Sequence, residues 1–290
     1  MFGRAIVATD FSPASATMLK CLGGLRAYGV ERLLMLLCMP SEGAFALDYA
    51  STFAEEILAE QKKLLEAQGL EVATKIVLGP AAREIHEVAA AEGCSLVVIG
   101  SRGHSRATEP FLGGVASEVI HRYHDTPVLL MRVGSMAEGT TRCLGATPGD
   151  FTGHVLFPTD FSENADHAFS YIRQMAGGGA KRVTLLHVQD VGQHLEHRLP
   201  EFDEIDRGRL GELKKTLEAD GSAAVELKLV YGHPFVEITR LVREEAASVV
   251  VMGSQGRGFV RELFLGSVSH NVARHAEAPV LLIPPLRAET

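Results

Sequence analysis

The chain has 290 residues, 46% hydrophobic and 22% charged, the balance of an ordinary soluble globular protein, which excludes disordered, collagen-like and fibrous classes. At roughly 150 residues per domain, this length admits two domains or one large α/β barrel. A net charge of −8 offers no basic field to a polyanion, so no nucleic-acid partner is expected; without an N-terminal export pattern or a run of about 18 apolar residues, the chain reads as cytoplasmic, with no membrane insertion.

In chain order, short apolar runs alternate with longer amphipathic stretches, the pattern of βαβ units around a parallel sheet. Strands are predicted at residues 4–9, 32–39, 72–78, 96–99 and 128–133, and again at 155–159, 182–188, 225–230, 249–252 and 280–283. Leu33-Leu34-Met35-Leu36-Leu37 is apolar at every position, as a strand covered on both faces should be. Ser12-Pro13 provides an N-cap and a first helical residue, and Ser162 can cap the matching helix. Residues 54–68 and 202–219 carry helical apolar spacing, while 82–91 and 235–247 follow the turn signals Gly79-Pro80 and Gly232-His233-Pro234.

The same text is written twice. Ala5-Ile6-Val7-Ala8-Thr9-Asp10-Phe11-Ser12 returns as Val155-Leu156-Phe157-Pro158-Thr159-Asp160-Phe161-Ser162, and Leu96-Val97-Val98-Ile99-Gly100-Ser101-Arg102-Gly103 returns as Val249-Val250-Val251-Met252-Gly253-Ser254-Gln255-Gly256. Pro127-Val128-Leu129-Leu130 returns as Pro279-Val280-Leu281-Leu282. Three matches in the same order at nearly constant offset indicate a tandem duplication and remove the single barrel. The glycine-rich stretch between the copies is linker composition, which gives domains at 1–135 and 153–290 with a linker at 136–152. Cys21, Cys38, Cys94 and Cys143 show no paired spacing, and three sit among apolar residues where reduced cysteine packs as a small hydrophobe.

In an open α/β sheet, ligands bind beyond the carboxyl ends of the strands. Asp10 and Asp160 follow the first strand of each copy, where a carboxylate can accept hydrogen bonds from a ligand hydroxyl or amine, or simply start a turn. Gly253 and Gly256 follow the fourth strand of copy two, and nine residues later Gly266-Ser267-Val268 opens a helix. Glycines permit close backbone approach, and a helix N-terminus offers unpaired N–H groups to an anion, so this is a candidate phosphate site, with Arg257 and Arg261 in the same loop. His121 and His124, His194 and His197, and His270 and His275 read as surface residues, and His187 as a hydrogen-bonded core residue. No GxxxxGK[ST], GxSxG or HExxH motif occurs, and no catalytic residue or metal ligand is assigned.

The Gly253-xx-Gly256-(nine residues)-Gly266-Ser267 spacing, the first-strand Asp and the Pro-Val-Leu-Leu last strand resemble the ATP-binding universal stress proteins, across essentially the whole chain. The resemblance implies two tandem Rossmann-like α/β domains of the adenine nucleotide alpha hydrolase-like type. Each would be a five-stranded parallel sheet of order 3-2-1-4-5 with helices on both faces. It implies ATP or AMP as ligand, with or without magnesium. In copy two, Asp160 would contact ribose or adenine, Pro158 and Val188 would line the base, and Gly253, Gly256, Arg257, Gly266, Ser267 and Val268 would hold ribose and phosphates. In copy one, Asp10, Met39, Gly100, Gly103, Gly113 and Gly114 form a weaker site, because Gly114 stands where a hydroxyl is expected and Glu109 lies in the phosphate loop. The resemblance further implies a nucleotide-responsive stress regulator, with a slow magnesium-dependent ATP hydrolase or a partner-binding scaffold as alternatives. It also implies pairing of the two domains through Val128–Met131 and Val280–Ile283, or a homodimer.

Overall fold

A computed structural model describes residues 1–40, 47–101, 112–122, 125–135, 140–145, 149–190, 199–221, 223–256 and 265–286. The chain divides into two compact units, Met1–Leu144 and Gly145–Thr290.

The first unit runs β1 (Arg4–Thr9), α1 (Pro13–Leu19), a 3-10 turn (Gly23–Tyr28), β2 (Arg32–Met39), α2 (Leu47–Glu66), β3 (Glu71–Leu78), α3 (Ala81–Ala91), β4 (Leu96–Gly100), α4 (Gly114–Arg122) and β5 (Val128–Met131). Its strands are parallel in the order β3-β2-β1-β4-β5, with Arg4 opposite Arg32 and Ala5 opposite Leu96. Ile6, Val7, Met35, Leu36, Val98 and Leu129 are fully buried. At roughly 1.5–3 kcal/mol for each large apolar side chain removed from water, these central strands are the main source of stability. The outer strand β3 is partly exposed and carries Glu71 and Lys75, charges that suit an uncovered edge. Ser12 caps α1 by accepting from the Ser15 amide. The helix stops at Leu19, and the Gly23-Gly24 pair continues as the 3-10 turn.

Beyond β5 the unit closes with an antiparallel hairpin, β6 (Val133–Ser135) and β7 (Thr141–Cys143), in which Val133 faces Cys143. This hairpin occupies part of the stretch whose composition reads as a linker. It is fastened to α1, because the Thr17 and Thr141 hydroxyls lie 2.6 Å apart and Cys21 is disulfide-bonded to Cys143. The expectation of reduced, separately packed cysteines is therefore corrected for these two. Their 122-residue separation along the chain gave no pairing signal, whereas the hairpin brings them together. Cys38 and Cys94 are free, and burial, first of all, raises the Cys38 thiol to about 12, with the Glu84 carboxylate adding to it.

The second unit repeats the plan: β8 (His154–Pro158), α5 (Glu163–Gly177), β9 (Arg182–Gln189), α6 (Leu199–Asp220), β10 (Ala224–Tyr231), α7 (Pro234–Glu244), β11 (Val249–Gly253), α8 (Ser267–His275) and β12 (Val280–Ile283). Its parallel order is β10-β9-β8-β11-β12. Both units thus realise the 3-2-1-4-5 order. Here α5 is an unbroken 15-residue helix, since no Gly-Gly pair interrupts it, and Ser162 caps it by accepting from the Ala165 amide at 3.2 Å. No helix among the described residues is long and apolar enough to cross a membrane.

Candidate functional site

In the second unit the chain order reverses at β8, whose neighbours β9 and β11 lead away in opposite directions, so a crevice opens above the carboxyl ends of β8 and β11. Its floor is the turn after β8. The Thr159 amide donates to Leu186 O at 2.8 Å, the Phe161 amide to Thr159 Oγ1 at 3.0 Å, and the Ser162 amide to Asp160 Oδ1 at 3.1 Å. Phe161 sits at φ 57°, a left-handed conformation that costs a non-glycine residue about 1 kcal/mol or more and is tolerated where the surroundings enforce it. The first unit has the same geometry: Phe11 has φ 61°, and the Ser12 amide donates to Asp10 Oδ1 at 3.0 Å.

The opposite wall is the loop from β11 into α8. The Ser254 amide donates to Ile283 O and the Gly266 amide to Ser254 O, each at 2.8 Å, so the loop returns to the strand end from which it left. Ser269 Oγ donates to Gly253 O at 2.9 Å, and Asn164 Nδ2 donates to Gln255 O at 3.3 Å. Gly266 is the N-cap of α8, and its carbonyl accepts from the His270 amide, leaving the amides of Ser267, Val268 and Ser269 without intrahelical acceptors. These N–H groups carry the positive end of the helix dipole.

Turn and loop enclose a cavity of about 540 Å³, within the range of roughly 300–1,000 Å³ usual for small-molecule sites. Pro158, Asp160, Val188, Gly253, Gly256, Gly266, Ser267 and Val268, all singled out from the sequence, line it together. Arg257 and Arg261 lie outside the described residues, as do His194 and His197. Sequence reasoning missed Asp190, Gln255, Pro234, Ile238 and Ser269 on the same walls. Asp190 had a legible signal, a carboxylate directly after a strand. Ile238 had none, because its contribution depends on how α7 packs.

Two of the glycines stand where a side chain would crowd a neighbour. A Cβ on Gly256 would stand 2.6 Å from Asp160 Oδ2, and one on Gly253 would stand 2.8 Å from Asn164 Nδ2. A Cβ on Gly266 would meet nothing nearer than 3.5 Å, so the protein itself does not need a glycine there.

In the first unit, Gly113 donates its amide to Ser101 O at 2.9 Å, the counterpart of the Gly266–Ser254 bond, and Gly100 ends β4 as Gly253 ends β11. Gly114 opens α4 where Ser267 opens α8. Gly103 and Glu109 lie outside the described residues. The register corrects one assignment. With Arg32 opposite Arg4 and Arg182 opposite His154, the counterpart of Val188 is Cys38, and Met39 corresponds to Gln189. Successive strand residues point to opposite faces, so Met39 belongs to the face turned away from a site of this kind.

An open parallel sheet of the same strand order, built twice in tandem, with a ligand-sized crevice at the strand-order switch of the second copy, defines the class as a duplicated Rossmann-like α/β protein. Both copies match the model of the universal stress protein family, over residues 1–132 and 152–284, and the chain belongs to that family. A universal stress protein of Methanocaldococcus jannaschii is 30% identical over 151 residues, covering 44% of this chain and 93% of that protein. A universal stress protein of Mycolicibacterium smegmatis is 27% identical over 266 residues, covering 87% of this chain and 80% of its own length. Among solved structures, a universal stress protein of Archaeoglobus fulgidus is similar over 98% of both chains, with a TM-score of 0.72 and 25% identity.

Proposed function

We propose that the second unit binds an adenine nucleotide, ATP or AMP, in the cavity above β8 and β11, and that the protein is a nucleotide-responsive regulator. The observation that carries this reading is the mixed lining of the cavity above β8 and β11. The carboxylates of Asp160 and Asp190 and the apolar Pro158 and Val188 come from the ends of β8 and β9, and an open helix N-terminus comes from Gly266, Ser267 and Val268. A helix N-terminus attracts phosphate, while the carboxylates suit hydroxyl or amine donors and the apolar side chains suit a base. Asp160 accepts from a ribose hydroxyl or the adenine amine, the base lies on Val188 and Pro158, and Ser267 adds a hydroxyl donor to the α8 amides.

Among the described residues no group of three metal-ligating side chains stands together. A magnesium ion accompanying ATP would therefore be held chiefly by the phosphates. Hydrolysis would be slow, because among the described residues lining the cavity no activated nucleophile stands beside Asp160. The test is to denature the purified protein and chromatograph what is released. ATP or AMP released, with negligible turnover, supports the regulator; sustained ADP production supports the hydrolase; no nucleotide, and none taken up on incubation, contradicts the proposal.

A further inference from the structure

Behind the floor of the cavity lies a polar cluster whose members come from β9 and α6, with His187 and Gln189 buried. His187 Nδ1 donates to Thr159 O at 2.7 Å, and Nε2 of the same ring stands 3.4 Å from Asp206 Oδ2. Asp206 Oδ2 also accepts from Gln189 Nε2 at 2.8 Å, and its other oxygen stands 3.6 Å from Arg209. The Phe161 ring lies on the His187 imidazole with centroids 4.6 Å apart, and the Arg209 guanidinium covers that ring at 5.3 Å. Both residues that flank Asp160 are thus held from behind, Thr159 through its carbonyl and Phe161 through its ring.

The first unit shows that the fold does not need this cluster. By strand register His187 corresponds to Leu37 and Gln189 to Met39. The buried anchors Leu58 and Leu65 of α2 recur as Leu210 and Leu217 of α6, which puts Ala54 in the place of Asp206. Leu37 and Ala54 are buried. The first copy holds its turn differently, with Thr9 Oγ1 engaged by Ser15 and Gln61 and standing 3.5 Å from the Phe11 amide, against 3.0 Å for the bond in the second copy.

We infer that His187, which stands against Asp206 of α6, is a positioning residue for the Asp160 turn, and that through this contact α6 sets the affinity of the second unit's cavity. The inference rests on the nucleotide reading for its consequence, though not for its structural content. The test transplants the first copy's residues as His187→Leu, Gln189→Met and Asp206→Ala together, alongside His187→Asn, whose amide can still donate to Thr159 O. In the ligand-free protein, hydrogen exchange should accelerate at the Phe161 and Ser162 amides in the triple variant, with β8, β9 and β11 still protected. His187→Asn should restore the protection. Nucleotide affinity should fall about tenfold in the triple variant, the consequence of disturbing one hydrogen bond, and recover in His187→Asn. Unchanged exchange at those two amides overturns the inference whether or not nucleotide binds. Accelerated exchange in a protein that takes up no nucleotide upholds the positioning role and contradicts the nucleotide reading instead.

Discussion

Gly266 has φ −66°, which any residue can adopt, and space for a Cβ, so its lack of a side chain serves the cavity rather than the fold. Serine is a better N-cap than glycine, because its hydroxyl accepts from an amide of the first turn. In Gly266→Ser that hydroxyl would fill ligand space and occupy one of the amides offered to phosphate. The variant should melt at or slightly above the wild-type temperature while binding nucleotide at least about tenfold more weakly, as calorimetry would read. Equal affinity would show that the α8 terminus does not hold phosphate. The residue scale is also where sequence reading was most and least reliable. Glycines and aspartates just after strands were legible because backbone freedom and charge act locally. Met39 was misplaced because a slip of one residue in a strand turns a side chain to the other face.

Each unit ties the amino end of its first strand to a glutamate that ends its third helix. In the first, Arg4 donates to Glu92 at 2.8 Å and Lys75 at 2.9 Å, and these partners, Lys75 foremost, hold the Glu92 carboxyl below the usual range. In the second, His154 takes the place of Arg4: Arg182 donates to its Nδ1 at 2.7 Å, and its Nε2 lies 2.8 Å from the Thr184 hydroxyl. Burial, and then the Arg182 charge, hold the His154 pKa below its ordinary 6.5. The folded state therefore binds fewer protons than the unfolded chain below that pH. Stability from this residue is complete above pH 6.5 and lost as pH falls through the lower folded-state value. Melting temperatures recorded from about pH 8 down to about pH 5 should decline less steeply in His154→Gln than in the wild type; identical slopes would contradict this. Parallel strands and capped helices were readable from period and punctuation. The β6–β7 hairpin was not, because its stability comes from the Cys21–Cys143 and Thr17–Thr141 contacts, which link residues distant in sequence.

Across the whole molecule, duplication has preserved a scaffold and let the side chains around the strand ends diverge. Turn geometry after β1 and β8 is the same, and so is the hydrogen bond that returns each phosphate-type loop to its strand. The differences are side chains: Gly114 against Ser267, Cys38 against Val188, Leu37 against His187. The repeat itself was plain in the sequence, since an eight-residue strand-and-turn segment recurs with its last four residues unchanged. Of these differences the Ser267 hydroxyl is the one that would bond phosphate directly, and a bond to a charged group is worth about 1.5–3 kcal/mol. A Cβ at Gly114 would meet nothing within 4 Å, so the missing serine can be supplied without disturbing the fold. The most direct measurement is calorimetric titration of ATP and AMP into the nucleotide-free chain, the Ser267→Gly variant and the Gly114→Ser variant. One strong site per chain is expected, weakened about ten- to a hundredfold by Ser267→Gly, with a second site strengthened by Gly114→Ser. Two equal sites in the wild type, or a strong site indifferent to Ser267→Gly, would contradict this expectation.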